Sequence, residues 1–278
     1  MEKADRHRRI QDHPGRSGLT PAGVAAPIGI FDSGVGGLSI LRALRAELPA
    51  EDFVYLADAG FAPYGERDED FVVERARAIA QRLRDEHAIK ALVVACNTAT
   101  AAAIHLLRGE LPGLPIVGVE PALKPALALT RTLRIGVMAT RGTLASSKFR
   151  TLHDALAGDA DFVLQACDGL ADAIENHESA QTLELCRRHL AALGHFGTGA
   201  GEIDTLVLGC THYPFAQQQV QALAGPSVGL VETGEPVARQ TRRLLESAGL
   251  ARTSGAGSVS YHSTGDLAHL ERSASRWL

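Results

Sequence analysis

The 278-residue sequence has few cysteines and no long apolar run. Its cysteines, Cys96, Cys167, Cys186 and Cys210, are far apart and include no CxxC pair. This pattern excludes a disulfide-dense secreted domain and predicts free thiols in a reducing, cytoplasmic compartment. Because no apolar run approaches the roughly 18 residues of a membrane-spanning helix, we expect a soluble protein with no membrane partner.

The sequence also lacks a strong excess of charge of either sign. Its 28 Lys and Arg residues and 32 Asp and Glu residues give a net charge of -4. No basic field is therefore present to attract nucleic acid, and we expect no direct nucleic-acid partner. Residues 1–26 are rich in Arg, His, Gly and Pro and lack the apolar core of a secretory signal, which is typical of a disordered tail.

Short apolar runs alternate with longer stretches at helical spacing. Amphipathic stretches at 38–48 and 70–87 predict helices between strands. The resulting β-α-β order predicts an α/β fold whose parallel sheets are covered by helices on both faces. The predicted strands span residues 28–31, 53–57, 91–95, 115–119, 134–139, 162–166, 205–209 and 228–232.

One unit of sequence occurs twice. IGIFDSGVGG opens the first half and LRIGVMATRGT the second, while IKALVVACNTAT and IDTLVLGCTHYP occupy matching later places. The repeat predicts two similar lobes related by an approximate twofold axis, the first comprising 27–121 and 232–278 and the second 122–231. Sites in open α/β sheets form at the carboxyl ends of strands. The residues expected around one cleft between the lobes are therefore Asp32, Cys96, Thr140 and Cys210.

Cys96 and Cys210 each follow a predicted strand and precede a predicted helix. A helix N-terminus supplies partial positive charge and free N–H groups, which lower the pKa of a thiol. A free cysteine is also a small apolar residue that is often buried in strands. The recurrence of cysteine at matching places of the repeat favours a catalytic role over a purely structural one. Thiols on opposite sides of a cleft suit inversion of a carbon centre, where one base removes a proton and an acid returns one to the opposite face.

The same motifs allow other interpretations. The CTH motif suggests zinc, but its candidate ligands lack the close spacing of zinc sites, so we expect no metal. The turn DSGVGG exposes N–H groups that suit a carboxylate or phosphate, although its spacing matches no nucleotide motif. As a plain turn it would leave Asp32 as a helix N-cap. Taken alone, Glu175 would be a solvated carboxylate and APYG a turn in which Tyr64 offers a hydroxyl and Gly65 an N–H.

Together, these motifs resemble the glutamate racemases of the cofactor-independent aspartate/glutamate racemase superfamily. The resemblance covers residues 27–270 and is carried by IGIFDSGVGGLSILRAL, APYG, VVACNTATA, IGVMATRGT, LVLGCTHYP and the late YHSTGD. It implies an isomerase that interconverts L- and D-glutamate without pyridoxal phosphate or another cofactor and supplies D-glutamate for peptidoglycan. In the sister aspartate racemases the second cysteine is typically followed by Thr-Glu, so His212 points to glutamate.

The resemblance also implies roles for individual residues. Cys96 and Cys210 would exchange the proton at Cα, Asp32 and His212 would assist them, and Glu175 matches a carboxylate of the second lobe. This chain has Asp168 and Asp172 where the family usually has proline. The substrate contacts would be Asp32, Ser33, Tyr64, Gly65, Asn97, Thr98, Thr211 and His212, with Thr140 and Thr143 as further candidates.

Alternative functions stay open at this point. The chain could racemise another amino acid or decarboxylate its substrate without a cofactor, or it could bind an anionic ligand without turnover. Some members of the family inhibit DNA gyrase, which makes gyrase a further candidate partner. The family also forms dimers in several arrangements, which makes a homodimer a candidate assembly.

Overall fold

The structure of the protein, a computed structural model, describes residues 23–278. Each of the eight predicted strands is present to within two residues, and a further strand near the C-terminus was not predicted. The strands are β1 (Ile28–Asp32), β2 (Phe53–Ala57), β3 (Ala91–Val94), β4 (Ile116–Gly118), β5 (Arg134–Ala139), β6 (Asp161–Ala166), β7 (Thr205–Leu208), β8 (Gly229–Val231) and β9 (Val259–Ser263).

The strands form two sheets in which every pairing is parallel. The first sheet has the order β4-β3-β1-β2-β9 and the second β6-β5-β7-β8. Read from its other edge, the second sheet has the order β8-β7-β5-β6. When β5, β6, β7 and β8 are matched to β1, β2, β3 and β4, this equals the order β4-β3-β1-β2 of the first sheet. The predicted α/β class with two parallel sheets is confirmed, while the lobe boundaries at 121 and 231 stay a prediction.

Helices connect the strands, as the alternating pattern predicted. The stretches at 38–48 and 70–87 are helical. The α-helices within residues 23–278 are α1 (Leu38–Glu47), α2 (Glu69–His87), α3 (Asn97–Glu110), α4 (Leu123–Leu129), α5 (Arg141–Ala145), α6 (Ser147–Asp154), α7 (Leu170–Glu175), α8 (Ser179–Leu193), α9 (Gln217–Ala224), α10 (Gly234–Ser247) and α11 (Leu267–Trp277).

Both faces of each sheet are covered. Alternate residues of a strand point to opposite faces, so Ile30 packs with α1 and α10 whereas Phe31 packs with α2 and α3. In the second sheet Val137 packs with α4 and α6, and Met138 with α7, α8 and α9. Burying one such side chain stabilises the fold by about 1.5–3 kcal/mol. The sheets therefore give firm support to the residues that follow their strands.

The predicted N-terminal tail at 1–26 falls mostly on residues 1–22, which lie outside the described residues. Residues 23–26 form a turn, and the carbonyl oxygen of Val24 accepts a hydrogen bond from Lys90 Nζ at 2.6 Å. From residue 23 to residue 278, none of the helices combines the length and the apolar character needed to cross a bilayer.

Candidate active site

Equivalent strands of the two sheets place the two predicted thiols. Cys96 lies two residues after the end of β3, and Cys210 two residues after the end of β7. In each case the preceding residue donates its N–H to the neighbouring strand: Ala95 to β1 and Gly209 to β5, both at 2.7 Å. Both thiols are buried and line one cavity of about 30 Å³. The repeat therefore brings the two cysteines to a single site.

Most of the predicted site residues line this cavity. Asp32 does not line it, but it is fully buried and accepts a hydrogen bond from Thr211 Oγ1 at 3.4 Å. Thr143 also lies outside the lining and accepts from Thr140 Oγ1 at 2.9 Å. The predicted residues in the lining are Ser33, Tyr64, Gly65, Cys96, Asn97, Thr98, Thr140, Glu175, Cys210, Thr211 and His212.

Some lining residues were not predicted from the sequence. Ala171 and Asp172 line the cavity one turn before Glu175 on α7, and Ala62 and Pro63 precede Tyr64. Helical spacing was the available signal for Ala171 and Asp172, because residues three and four apart share one face of a helix. Within the part of the chain that the structure describes, no Lys or Arg belongs to the lining.

Cys96 caps the N-terminus of α3. Its Sγ accepts a hydrogen bond from the N–H of Ala99 at 3.4 Å and lies 3.9 Å from Ser33 Oγ. Burial nevertheless raises the pKa of the Cys96 thiol to about 12, with the charge of Asp32 acting in the same direction and the Ala99 N–H opposing it. The N-terminus of α3 does lower this pKa, as predicted, but desolvation outweighs its effect, so the thiolate is not favoured. Cys96 is therefore protonated at neutral pH.

Cys210 has a different environment. The predicted helix follows it, but residues 213–216 form a 3₁₀ turn and α9 begins at Gln217, so Cys210 does not cap an α-helix. Its Sγ lies 3.8 Å from His212 Nδ1, and the other ring nitrogen, Nε2, lies 2.7 Å from Glu175 Oε2. The imidazole of His212 thus stands between the thiol and a carboxylate.

His212 and Glu175 form a buried charged pair. Burial lowers the pKa of His212, but the contacts with Cys210 and Glu175 outweigh burial and hold that pKa well above its usual range. Burial likewise acts to raise the pKa of Glu175, yet His212 and the N–H of Val35 hold it below its usual range. Around neutral pH the pair is therefore an imidazolium and a carboxylate. The imidazolium of this pair lies beside Cys210.

The glycine-rich turn between β1 and α1 closes against this pair. The N–H of Val35 donates to both carboxylate oxygens of Glu175, at 3.1 and 2.8 Å. A Cβ atom at Gly34 would lie 2.3 Å from Glu175 Oε2, so only glycine allows this approach. The N–H groups of Gly34 and Gly37 donate to Asp32 Oδ2 at 3.1 and 3.0 Å. The predicted cradle for a carboxylate thus holds two carboxylates of the protein itself.

Tyr64 lines the cavity, but its hydroxyl is engaged elsewhere. The hydroxyl donates to Asp58 Oδ2 at 2.5 Å, so the expectation that it is offered to a ligand is wrong. The backbone of Tyr64 and Gly65 is what remains to face the cavity. On the opposite side, Thr98 and Thr140 join the two lobes through their hydroxyls at 3.0 Å.

Metal binding was the alternative for the CTH motif. Among residues 23–278, no three or more His, Cys, Asp or Glu side chains are grouped as metal ligands. Of the two candidate ligands, Cys210 contacts His212, and His212 also contacts Glu175.

The sequence is similar to named enzymes over most of its length. It is 47% identical over 248 residues to a glutamate racemase of Ralstonia nicotianae, covering 88% of this chain and 87% of the relative. It is also 47% identical over 248 residues to a glutamate racemase of Ectopseudomonas mendocina, covering 88% of this chain and 92% of the relative.

Solved structures and a family model agree with these relatives. A glutamate racemase isoform from Bacillus anthracis superposes with a TM-score of 0.80 at 31% identity, covering 91% of this chain and 93% of that one. Escherichia coli glutamate racemase in complex with L-glutamate and an activator gives 0.79 at 33% identity, covering 91% and 95%. The model of the Asp/Glu/hydantoin racemases matches residues 30–251. The chain belongs to the Asp/Glu/hydantoin racemase family.

Proposed function

We propose that this chain is a glutamate racemase in which Cys96 and Cys210 move the proton at Cα of glutamate. The supporting observation is that two thiols at equivalent strand ends of a repeated fold line the same cavity. Such a pair can serve opposite faces of one carbon. The relatives named as glutamate racemases support glutamate as the substrate.

The proposed reaction balances without a cofactor. The thiolate of one cysteine takes the proton from Cα, and the electron pair of the broken C–H bond stays on the substrate, delocalised toward its carboxylate. The thiol of the other cysteine then gives its proton to the opposite face. The product has inverted configuration, the two sulfurs have exchanged protonation states, and no electron has left the substrate. Asp32 and His212 assist through their charges, that of Asp32 acting on Cys96 and that of His212 on Cys210.

The electrostatic surroundings of the two thiols differ. Cys96 has a raised pKa and is the natural proton donor. Cys210 lies beside the imidazolium of His212, which attracts negative charge to that side of the cavity. Glu175 completes this side by holding His212 in place. The same groups work in reverse once the protons have been exchanged.

Neutral donors and acceptors would hold the substrate. Among residues 23–278 no Lys or Arg lines the cavity, and both ring nitrogens of His212 already have partners, so hydroxyl, amide and backbone N–H groups would bind the two carboxylates of glutamate. Ser33, Thr98 and Thr211 supply hydroxyls, and Gly65 supplies an N–H. Asn97 Oδ1 is buried and has no hydrogen-bond partner among the described residues, so it is free to accept from the substrate ammonium.

Deuterium incorporation tests the proposal. Wild-type protein incubated with L-glutamate in deuterated water, without added cofactor, should form D-glutamate that carries deuterium at Cα. Cys96→Ala and Cys210→Ala should each lower kcat by about 10³-fold or more. Cys186→Ala removes a buried thiol outside the cavity and should keep activity. Normal turnover in either Cys96→Ala or Cys210→Ala would contradict the two-thiol mechanism.

A substrate panel tests the choice of glutamate. Circular dichroism of single enantiomers of glutamate, aspartate and other amino acids should show the fastest loss of signal for glutamate. Faster racemisation of another amino acid would assign a different substrate to the same mechanism.

We also propose that the product supplies peptidoglycan synthesis in the cytoplasm, as the family resemblance implies. Cells depleted of this protein should then require added D-glutamate. Wild-type protein should relieve the requirement, and Cys96→Ala should not. The homodimer and DNA gyrase as a partner stay predictions, to be tested by sedimentation and by a supercoiling assay.

A further inference from the structure

An ion pair between a buried carboxylate and a half-buried arginine lies outside the cavity. Asp58, directly after β2, is fully buried and faces Arg75 of α2. Arg75 Nε donates to Asp58 Oδ2 at 2.9 Å, and Nη2 donates to Oδ1 at 2.8 Å. The same carboxylate accepts from the hydroxyl of Tyr64 at 2.5 Å and from that of Thr264 at 2.8 Å. One carboxylate therefore ties together α2, the segment containing Tyr64 and the turn after β9.

The segment held by this ion pair forms one wall of the cavity. We call residues 59–66 the wall segment; it consists of two 3₁₀ turns, and four of its residues line the cavity. Arg75 also contacts the segment directly, since its guanidinium lies 3.6 Å from the ring centroid of Phe61. The segment is thus held near its start by Phe61 and further along by Tyr64.

The other side of the wall segment faces the second lobe. A Cβ atom at Gly65 would lie 2.8 Å from Cβ of Thr140, so the two lobes are in close contact there. Glu66 Oε1 accepts a hydrogen bond from the N–H of Gly169 at 3.2 Å. The position of the Gly65 backbone therefore depends on contacts from both lobes. On the side of the first lobe, the contact is the ion pair of the buried Asp58 with Arg75.

We propose that Arg75 is a positioning residue for substrate binding: through Asp58 and Phe61 it fixes the wall segment, so that the backbone of Tyr64 and Gly65 is ready to bind the substrate. Arg75 does not touch the reacting atoms. A preformed wall lowers the ordering cost of substrate binding, so its loss should weaken binding and raise KM. This inference rests on the proposed racemase function.

Steady-state kinetics of Arg75→Gln test the inference, with Arg77→Gln as the matched control. Arg77 lies on the same helix and also bonds a carboxylate, that of Glu110, at 2.8 and 3.0 Å, but on the exposed surface. Arg75→Gln should raise the KM for both glutamate enantiomers about tenfold while kcat changes less than about threefold. Arg77→Gln should change neither value. The KM of Arg75→Lys should lie between those of wild type and Arg75→Gln, since lysine keeps the charge but loses the two-point contact.

A milder variant covers the case in which Arg75→Gln does not fold, because an unpaired buried carboxylate is strongly destabilising. Thr264→Val keeps the ion pair but removes the hydrogen bond that Thr264 Oγ1 donates to Asp58 and the one that it accepts from the N–H of Gly60 at 3.1 Å. It should raise KM in the same direction by a smaller factor. Amide hydrogen exchange should accelerate in the wall segment of both variants while the central strands stay protected, and Arg77→Gln should leave the exchange of the wall segment unchanged.

The outcomes separate the inference from the proposed function. Unchanged KM and unchanged exchange of the wall segment in Arg75→Gln and Thr264→Val would overturn the inference and leave racemisation by the wild type standing. A fall in kcat at constant KM would also overturn it. If the wild type does not racemise glutamate, the proposed function fails, and the exchange comparison still decides whether Arg75 fixes the wall segment.

Discussion

Glu175 Oε2 lies 2.7 Å from His212 Nε2, and the pair is completed by the N–H of Val35 from the other lobe. The two side chains are only 13% and 7% exposed, so solvent screens their charges little. Cys210 lies on the far side of the imidazole. The protonation of one side of the cavity is therefore coupled to contact between the lobes.

Glu175→Gln should destabilise the protein in a pH-dependent way. The lowered pKa of Glu175 contributes stability that is complete above the ordinary value of 4.5 and is lost as pH falls through the lowered value. The raised pKa of His212 contributes stability that is complete below 6.5 and is lost as pH rises through the raised value. Urea unfolding should show the largest difference from wild type, about 2 kcal/mol, between these two pH values.

Glu184→Gln is the matched control for this experiment. Glu184 bonds Arg187 at 2.6 Å on the surface of α8, where both side chains are exposed. Its replacement should change the free energy of unfolding by less than about 0.5 kcal/mol at every pH. A pH-independent effect of Glu175→Gln would show that the charged pair is absent from the folded protein.

Gly34→Ala should separate the glycine turn from Glu175. The new methyl group would lie 2.3 Å from Oε2, and the carboxylate must move away from Val35 and His212. We expect a loss of about 10²-fold in kcat/KM and of about 1–3 kcal/mol in stability, as for other overpacked sites. Activity assays and urea unfolding measure the two effects.

Gly109→Ala is the control for added volume. Gly109 is the next-to-last residue of α3, and nothing lies within 4 Å of the position its Cβ would take. Alanine should therefore keep activity and raise stability by up to about 1 kcal/mol, because it lowers the entropy cost of the helix. Full activity in Gly34→Ala would show that the turn does not need glycine at this position.

The sequence predicted the sheets because their strands are buried on both faces and read as continuous apolar runs. β9 was missed because its sequence, VSYHS, is mostly polar and pairs only with β2 at the edge of the sheet. The repeat predicted that Cys96 and Cys210 share a cavity, since matching strand ends of matching sheets carry them.

Other features of the site depend on contacts that no local pattern contains. The hydroxyl of Tyr64 donates to Asp58, a buried carboxylate that also accepts hydrogen bonds from Arg75 and from Thr264, which is distant in sequence. Burial by the surrounding fold raises the pKa of Cys96. This effect outweighs the opposing effect of the N-terminus of α3, which the sequence did suggest. Similarly, only the folded chain shows that the N–H of Val35 is used by Glu175.

The reactivity of Cys96 should follow its raised pKa. All four cysteines are buried free thiols. With a pKa of about 12, the alkylation rate of Cys96 by iodoacetamide should keep rising about tenfold per pH unit between pH 7 and 10. Peptide mass spectrometry measures this rate at that one residue. In guanidinium chloride all four thiols should react, with rates that level off near pH 9. A plateau near pH 9 in the folded protein would contradict the raised pKa.

Phe215→Leu should loosen the C-terminal helix from the second lobe. Trp277, the only tryptophan of the chain, stacks on Phe215 with a centroid distance of 3.9 Å and an interplanar angle of 8°. Phe215 donates its N–H to the carbonyl of His212 at 3.0 Å, so this stack joins α11 to the segment that follows Cys210. Loss of the ring contact should cost about 0.5–1.5 kcal/mol and shift the tryptophan emission to longer wavelength.

Emission spectra and urea unfolding measure both effects of Phe215→Leu. Leu129→Ala is the control, since Leu129 is 61% exposed and belongs to α4. It should leave the emission maximum unchanged. Because the stack joins α11 to the turn that carries His212, the Phe215→Leu variant should also lower kcat/KM, and the loss should be smaller than in Gly34→Ala, which displaces Glu175 directly. An unchanged emission maximum would show that α11 does not rest on Phe215 in solution.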